Sequence, residues 1–149
     1  MATTTASLTI TSADLVGDAL SLSSTKELHK AGTTVGLDQT TGMARLYLTA
    51  TTQLDIFPVL PATPAGQNLQ SWVYICNKSI DETEFITVSI AATNIGRLYA
   101  GDFLWMPWSQ IAQHADIEIA PSTGAAAAGI HVDYTCIHQG ITYPTGADS

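Results

Sequence analysis

The sequence predicts an all-β protein, a single-domain antiparallel β-sandwich, and three observations carry that reading. No segment sustains the 3.6-residue apolar period of a helix. Eight or nine short runs are instead rich in Thr, Val, Ile and aromatic residues, which suit a pleated, half-buried surface. Each run is closed by Gly, Pro, Asn, Asp, Ser or Thr at the spacing expected of a sandwich or barrel.

In chain order the first two candidate strands, Ser7–Ser12 and Ala19–Ser24, are separated by a break at Gly17. The glycine-bearing stretch Gly32–Gly42 leads into Ala44–Ala50, and Gln53–Pro58 stops where a stiff, proline-rich loop from Pro58 to Gln67 begins, because proline fixes φ and cannot join a central ladder. Leu69–Asn77 ends at the turn Asn77–Glu82, and Glu84–Ala91 follows. Gly96–Met106 is read as one run, with a break signal at Gly101 and an end at Pro107. Ala115–Ala120 ends at the Pro121–Gly129 loop, and Ile130–Ile137 is the last strand. Two segments are read as short helical turns, Ser24–His29 and Trp108–His114, each with a Ser or Thr able to cap it. Residues 1–7 are expected to form an N-terminal arm, 8–138 the sandwich domain and 139–149 a C-terminal tail.

Composition narrows the function. Charged residues make up 12% of the 149 residues, against about 25% in an ordinary globular chain. Five basic residues (Lys26, Lys30, Arg45, Lys78 and Arg97) are scattered among 13 acidic ones, for a net charge of −8. No basic patch exists to neutralise a row of phosphates, so direct nucleic-acid binding is disfavoured. Mean hydropathy is positive at +0.18, yet no run is long enough to cross a bilayer, and no membrane partner is expected. Met1–Ser7 is a Thr/Ala tract without the positive and apolar regions of a secretory signal. Cys76 and Cys136 both fall inside strand-like runs and read as buried free thiols, being too few for a disulfide framework or a zinc site.

Low charge and high hydropathy imply that other subunits hide part of the surface, and two runs point to where. In Phe103-Leu104-Trp105-Met106 a strand sends Phe103 and Trp105 to one side and Leu104 and Met106 to the other, so both sides are apolar. Trp72-Val73-Tyr74-Ile75-Cys76 repeats the pattern. A two-layer sandwich covers one face of each sheet, so the second face requires a loop of the same chain or another subunit. Trp72, Tyr74, Phe103, Trp105, Met106 and Trp108 are therefore the candidate core or subunit contacts, aromatic anchors being the usual source of interface energy. The Gly124–Gly129 loop, four alanines between glycines, reads either as docking on a neighbour or as a tip of small residues.

Catalytic signals are sparse. His114, Asp116 and Glu118 alternate on one strand face, as do His131 and Asp133 on another, and His114, Asp116, His131 and Asp133 are the candidate ligands for a divalent transition metal. The competing reading of the same alternation is two solvent-facing strands. Asp81-Glu82-Thr83-Glu84 lacks the spacing and glycine of a calcium loop and reads as a solvated turn. Asn77-Lys78-Ser79 fits a glycosylation sequon that no secretory signal supports. No nucleophile elbow, phosphate-binding glycine loop or Cys-x-x-Cys is present. The chain is expected to be non-enzymatic and to need no cofactor.

Leu98-Tyr99-Ala100-Gly101-Asp102-Phe103-Leu104-Trp105-Met106-Pro107 resembles the L-x-x-G-D-x-x-x-x-P signature of jelly-roll and cupin-type proteins, in which a Gly-Asp turn feeds a strand that ends at the proline. The resemblance implies a jelly-roll-type sandwich. It departs from metal-dependent cupins in lacking a His-x-His, and the histidine after Pro107 comes late, at His114. The Thr/Ala-rich arm, the segment Leu8–Leu15, the Gly-rich Ala31–Gly42 stretch, Trp72–Asn77 and Ile95–Trp108 together resemble small bacteriophage virion proteins that decorate or cement capsids. That resemblance implies a homotrimer on the capsid surface, made in the host cytoplasm, with the major capsid protein as partner and no catalysis. The alternatives are a tail or receptor-binding protein whose aromatics stack on glycans, and a cupin-like metalloenzyme.

Overall fold

The computed structural model describes residues 3–49, 53–57, 69–109, 116–122 and 129–140. Among them every regular element is a strand, and every pairing is antiparallel. The strands are β1 (Thr5–Ser12), β2 (Leu20–Glu27), β3 (Gln39–Thr40), β4 (Ala44–Leu48), β5 (Leu54–Phe57), β6 (Ser71–Asn77), β7 (Phe85–Ile90), β8 (Thr93–Tyr99), β9 (Phe103–Trp108), β10 (Ile117–Pro121) and β11 (Ile130–His138).

The last eight strands pair in a nested series: β4 with β11, β5 with β10, β6 with β9 and β7 with β8. Cross-pairing of β6 with β11 and β7 with β10 sorts them into two sheets. One has the order β5-β10-β7-β8; the other runs β11-β6-β9, with β4 and the short β3 both on the outer side of β11. The pairings give the two antiparallel sheets of a β-sandwich. The sheets bury a shared core in which Val73, Ile75, Ile130, Val132 and Cys136 of one meet Phe57, Ile86, Val88, Ile117 and Ile119 of the other.

One corner positions the outer surfaces. Gly101, at φ +80°, lets the chain turn from β8 in one sheet to β9 in the other, a conformation glycine adopts without penalty. Asp102 closes that turn: its carboxylate accepts from the Tyr99 amide at 2.9 Å and its own amide donates to the Tyr99 carbonyl. Fully buried Asn77 ties the turn down. Its side-chain amide donates to the Leu98 carbonyl at 3.0 Å, its side-chain oxygen accepts from the Ser79 amide, and its main chain bonds Gly101 and Asp102. An asparagine so enclosed presents no glycosylation site.

Several sequence expectations change. Gly96–Met106 is two strands in two different sheets, because the Gly101 turn breaks it and β8 starts earlier, at Thr93. The strand after that turn continues through Pro107 to Trp108. Pro107 is tolerated because β9 lies at the sheet edge, where a missing N–H breaks no central ladder. Ser24–His29 is not helical: β2 runs to Glu27, held by β1, and His29 then bridges to Gly36, since the hydroxyl residues suited to a cap suit a strand equally once a partner is beside them. The helical turn read over Trp108–His114 begins at a residue that belongs to β9, and its remainder past Ser109 lies outside the described residues, as do the proline-rich loop and most of the Gly124–Gly129 loop. β1 starts at Thr5, within the stretch read as an arm, and Gln139 and Gly140 bond back to Ala31 and Asp38.

Candidate functional site: an outward aromatic face

The alternation in β6 and β9 sends Val73, Ile75, Leu104 and Met106 inward. Trp72, Tyr74, Phe103 and Trp105 are left on the outward side of the β11-β6-β9 sheet. Register brings the four together, with Tyr74 opposite Trp105 and Cys76 opposite Phe103. Trp72 and Trp105 stack, with centroids 5.3 Å apart and planes 22° from parallel; Tyr74 and Phe103 lie at 6.2 Å. Phe103 is 58% exposed, and the other three are half-buried. Met106 and Trp108 belong instead to the interior: Met106 packs against the core and Trp108 is buried 5.9 Å from Phe57. The six apolar residues singled out from the sequence are thus divided by strand parity, four outward and two inward.

Toward β4 the same face becomes polar. Arg45 grips Asp133 in a two-pronged ion pair, Nε to Oδ1 at 2.6 Å and Nη2 to Oδ2 at 2.9 Å. This bond holds the Asp133 carboxyl below the usual carboxylate range and the Arg45 guanidinium above its own. Tyr47 packs on His131 at 4.6 Å. Gly129, at φ +76°, holds a backbone conformation that favours glycine, and the Tyr47 ring lies against it. The Tyr74 hydroxyl is pushed up to about 12 by burial, then by its hydrogen bond with the Cys76 thiol and the nearby charge of Asp133. It therefore stays protonated at neutral pH and serves as a hydrogen-bonding group, not a base.

The base of the β1–β2 ribbon overhangs this face and leaves an open cleft of about 640 Å³, walled by Ala6, Leu8, Ser24 and Lys26 on one side and by the four aromatics and Ile137 on the other. Cover from the same chain is thus partial. The ribbon's contribution is not among the residues singled out from sequence, although its alternation of aliphatic and hydroxyl residues is visible there.

The metal candidates among the described residues are not brought together. Asp116 precedes β10 and takes part in the turn between β7 and β8, its carbonyl accepting from the Ala91 amide at 3.3 Å. His131 and Asp133 lie on the other sheet's outward face, Asp133 engaged with Arg45. His114 lies outside the described residues. Among the described residues no group of three or more His, Cys, Asp and Glu is placed to hold a metal ion. Asp81 spends its carboxylate locally on the Thr83 amide and hydroxyl, at 2.9 and 2.6 Å, as a turn residue does. Cys76 and Cys136 are buried free thiols; they sit on neighbouring strands, Cys136 pointing into the core and Cys76 to the opposite side.

Compared with protein-family models, with characterised proteins and with solved structures, the chain matches none. The fold and the face define the class: an antiparallel all-β sandwich whose conspicuous surface is a partly covered aromatic sheet face.

Proposed function

We propose that the chain is a non-enzymatic structural protein of a virion, one that decorates a bacteriophage capsid and cements it by bridging major capsid subunits. The observation that carries this reading is the outward aromatic face of Trp72, Tyr74, Phe103 and Trp105 in a chain only 12% charged. Aromatic residues concentrated where charge is depleted are the composition of an interface core. A protein bound at many equivalent positions on a shell needs only modest contacts at each, because engagement of several at once raises overall avidity. Sedimentation with phage shells stripped of the chain tests the idea: the wild type pellets with shells, and Phe103→Ser together with Trp105→Ser stays in the supernatant. Wild-type protein that remains in solution at micromolar concentration overturns it.

A second reading is supported by the cleft. Its volume of about 640 Å³ and its aromatic lining suit a small ligand, and flat aromatic rings are surfaces on which sugar rings stack, as in a tail or receptor-binding protein. Binding to a glycan array, lost in Trp72→Ala, combined with no affinity for shells, would favour this reading over decoration.

A further inference from the structure

The cleft between the ribbon and the aromatic face has two chemically different sides. Its floor is flat and aromatic, with Trp72 and Trp105 stacked and Tyr74 and Phe103 beside them. Its other wall is the side of the ribbon on which register sets Ala6 opposite Lys26 and Leu8 opposite Ser24. Thr4 and Ser24 add hydroxyls to the lining.

Charge is distributed unevenly around it. The chain has 13 acidic and five basic residues, yet the residues that line this cleft include Lys26 and no Asp or Glu. Among the described residues Lys26 has no ion-pair partner. The adjacent Glu27 falls on the ribbon's opposite side by parity, its carboxylate 3.4 Å from the His29 ring. Asp133, on the same sheet face as the aromatics, is held by Arg45. An anion entering the cleft therefore meets an uncompensated ammonium, in a molecule whose net charge of −8 otherwise repels it.

Shape selects among anions. The cleft is open to solvent, so whatever occupies it keeps one side in water. An alkyl chain gains in proportion to the area it removes from water and would leave much of itself wet here. A pyranose ring has a C–H face to lay on flat aromatic rings and hydroxyl edges that suit water, Thr4 and Ser24. In uronic and sialic acids the ring also carries a carboxylate, the group an ammonium bonds most strongly.

We propose that the cleft binds an acidic saccharide, its ring on the Trp72–Trp105 platform and its carboxylate at the Lys26 ammonium. The proposal rests on the glycan reading above and adds the charge that selects among glycans.

An array that carries sialylated and uronate-containing glycans beside their neutral parents tests it first. Titration of the purified chain follows, with sialyllactose or trigalacturonic acid, whichever the array marks, and with its methyl ester, which keeps the rings and removes the charge. The acid is expected to bind about fivefold more tightly than the ester at low salt, and the gap to close at about 1 M salt. Lys26→Gln, with an unchanged far-ultraviolet circular dichroism spectrum, brings the acid down to the ester's affinity and leaves the ester unaffected. Lys78→Gln, which removes the same charge from a residue outside the cleft lining, changes neither. Trp72→Ala loses both ligands. Neutral glycans bound as tightly as acidic ones, or a preference for the acid that survives Lys26→Gln, overturn the proposal and leave the glycan reading standing. Binding of no sugar at all, with or without binding of dodecanoate, overturns both.

Discussion

The two sheets turn very different surfaces outward. On the β11-β6-β9 sheet, Trp72, Tyr74, Phe103 and Trp105 cover one another and leave flat ring surface exposed. On the β5-β10-β7-β8 sheet the outward positions are Thr87, Ser89, Arg97 and Glu118, with a single aromatic pair, Phe85 and Tyr99 at 5.3 Å. That pair is finished by the Arg97 guanidinium, 4.4 Å above the Phe85 ring. The lesson is that aromatic residues on a sheet surface do not by themselves make an interface. Where a charged side chain lies across them the surface is complete in water, and where only other aromatics lie beside them it is not.

The comparison is broken most severely by removing what holds the two sheets face to face. Trp108→Ala empties a core site shared with Phe57 and is expected to destabilise by about 4 kcal/mol, whereas Trp105→Ala, on the outward side of the same strand, is expected to change the stability of the isolated chain by only about 1 kcal/mol. Urea unfolding of both variants checks the split; equal losses of stability would mean that Trp105 is core.

Asn77 is the next largest. Replacing it by Ala strands the Leu98 carbonyl and the Ser79 amide at the seam between the sheets, and about 3 kcal/mol of stability is expected to go with them. The shift of the urea midpoint at constant slope measures it.

Alkaline titration sharpens the contrast through Tyr74. Its folded-state value of about 12 lies above the ordinary 10, so the folded form holds its proton more tightly. The associated stability is complete below about pH 10 and falls as pH rises from there through 12. Tyr74→Phe is expected to flatten the loss in that window, read from the midpoint of urea unfolding at pH 9 and at pH 11.5. A loss of the same size in the variant would assign it elsewhere.

Smaller effects belong to the polar sheet. Ala91 and Ala92, at φ 49° and 59°, form the turn between β7 and β8 in the left-handed region, which disfavours a Cβ by roughly 1–2 kcal/mol. The carboxylate of Glu118 supports the turn by accepting from the Ala92 amide at 2.9 Å. Ala92→Gly is expected to raise stability by about 0.5–1 kcal/mol, seen as a higher melting temperature. Arg97→Ala is expected to change stability by only about 0.5–1 kcal/mol yet to make the second sheet adhesive, seen as increased binding of a hydrophobic dye.

How much of this was legible can be judged from particular turns. Gly101-Asp102 announced its turn because glycine at a positive φ and a carboxylate closing on the amide three residues back are chemistry written in two adjacent letters. Ala91-Ala92 announced nothing: alanine is a poor turn residue, and the turn exists because Glu118 and the Asp116 carbonyl, more than 20 positions away, hold its amides. Pro107 read as a strand end, since a missing N–H matters in a central strand. Only the sheet order reveals that β9 lies at the edge. His131 and Asp133 share a face of β11, as alternation shows, but alternation carries no information about which strands become neighbours.

What the sequence alone determined is therefore everything that depends on near neighbours: that the chain forms strands, that those strands are amphipathic or apolar on both sides, that Trp72, Tyr74, Phe103 and Trp105 fall on the side opposite Val73, Ile75, Leu104 and Met106 by parity, and that no charge patch competes with them. The pleat repeats every two residues, so such relations are local. Tertiary structure decided which side faces in. The nested pairing of β4–β11 set one sheet over the other, sealed Met106 and Trp108 between them, and left the four aromatics outside under the edge of the ribbon. The inside of a sandwich is defined only by the second layer, and in this chain that layer is assembled from strands far away in sequence.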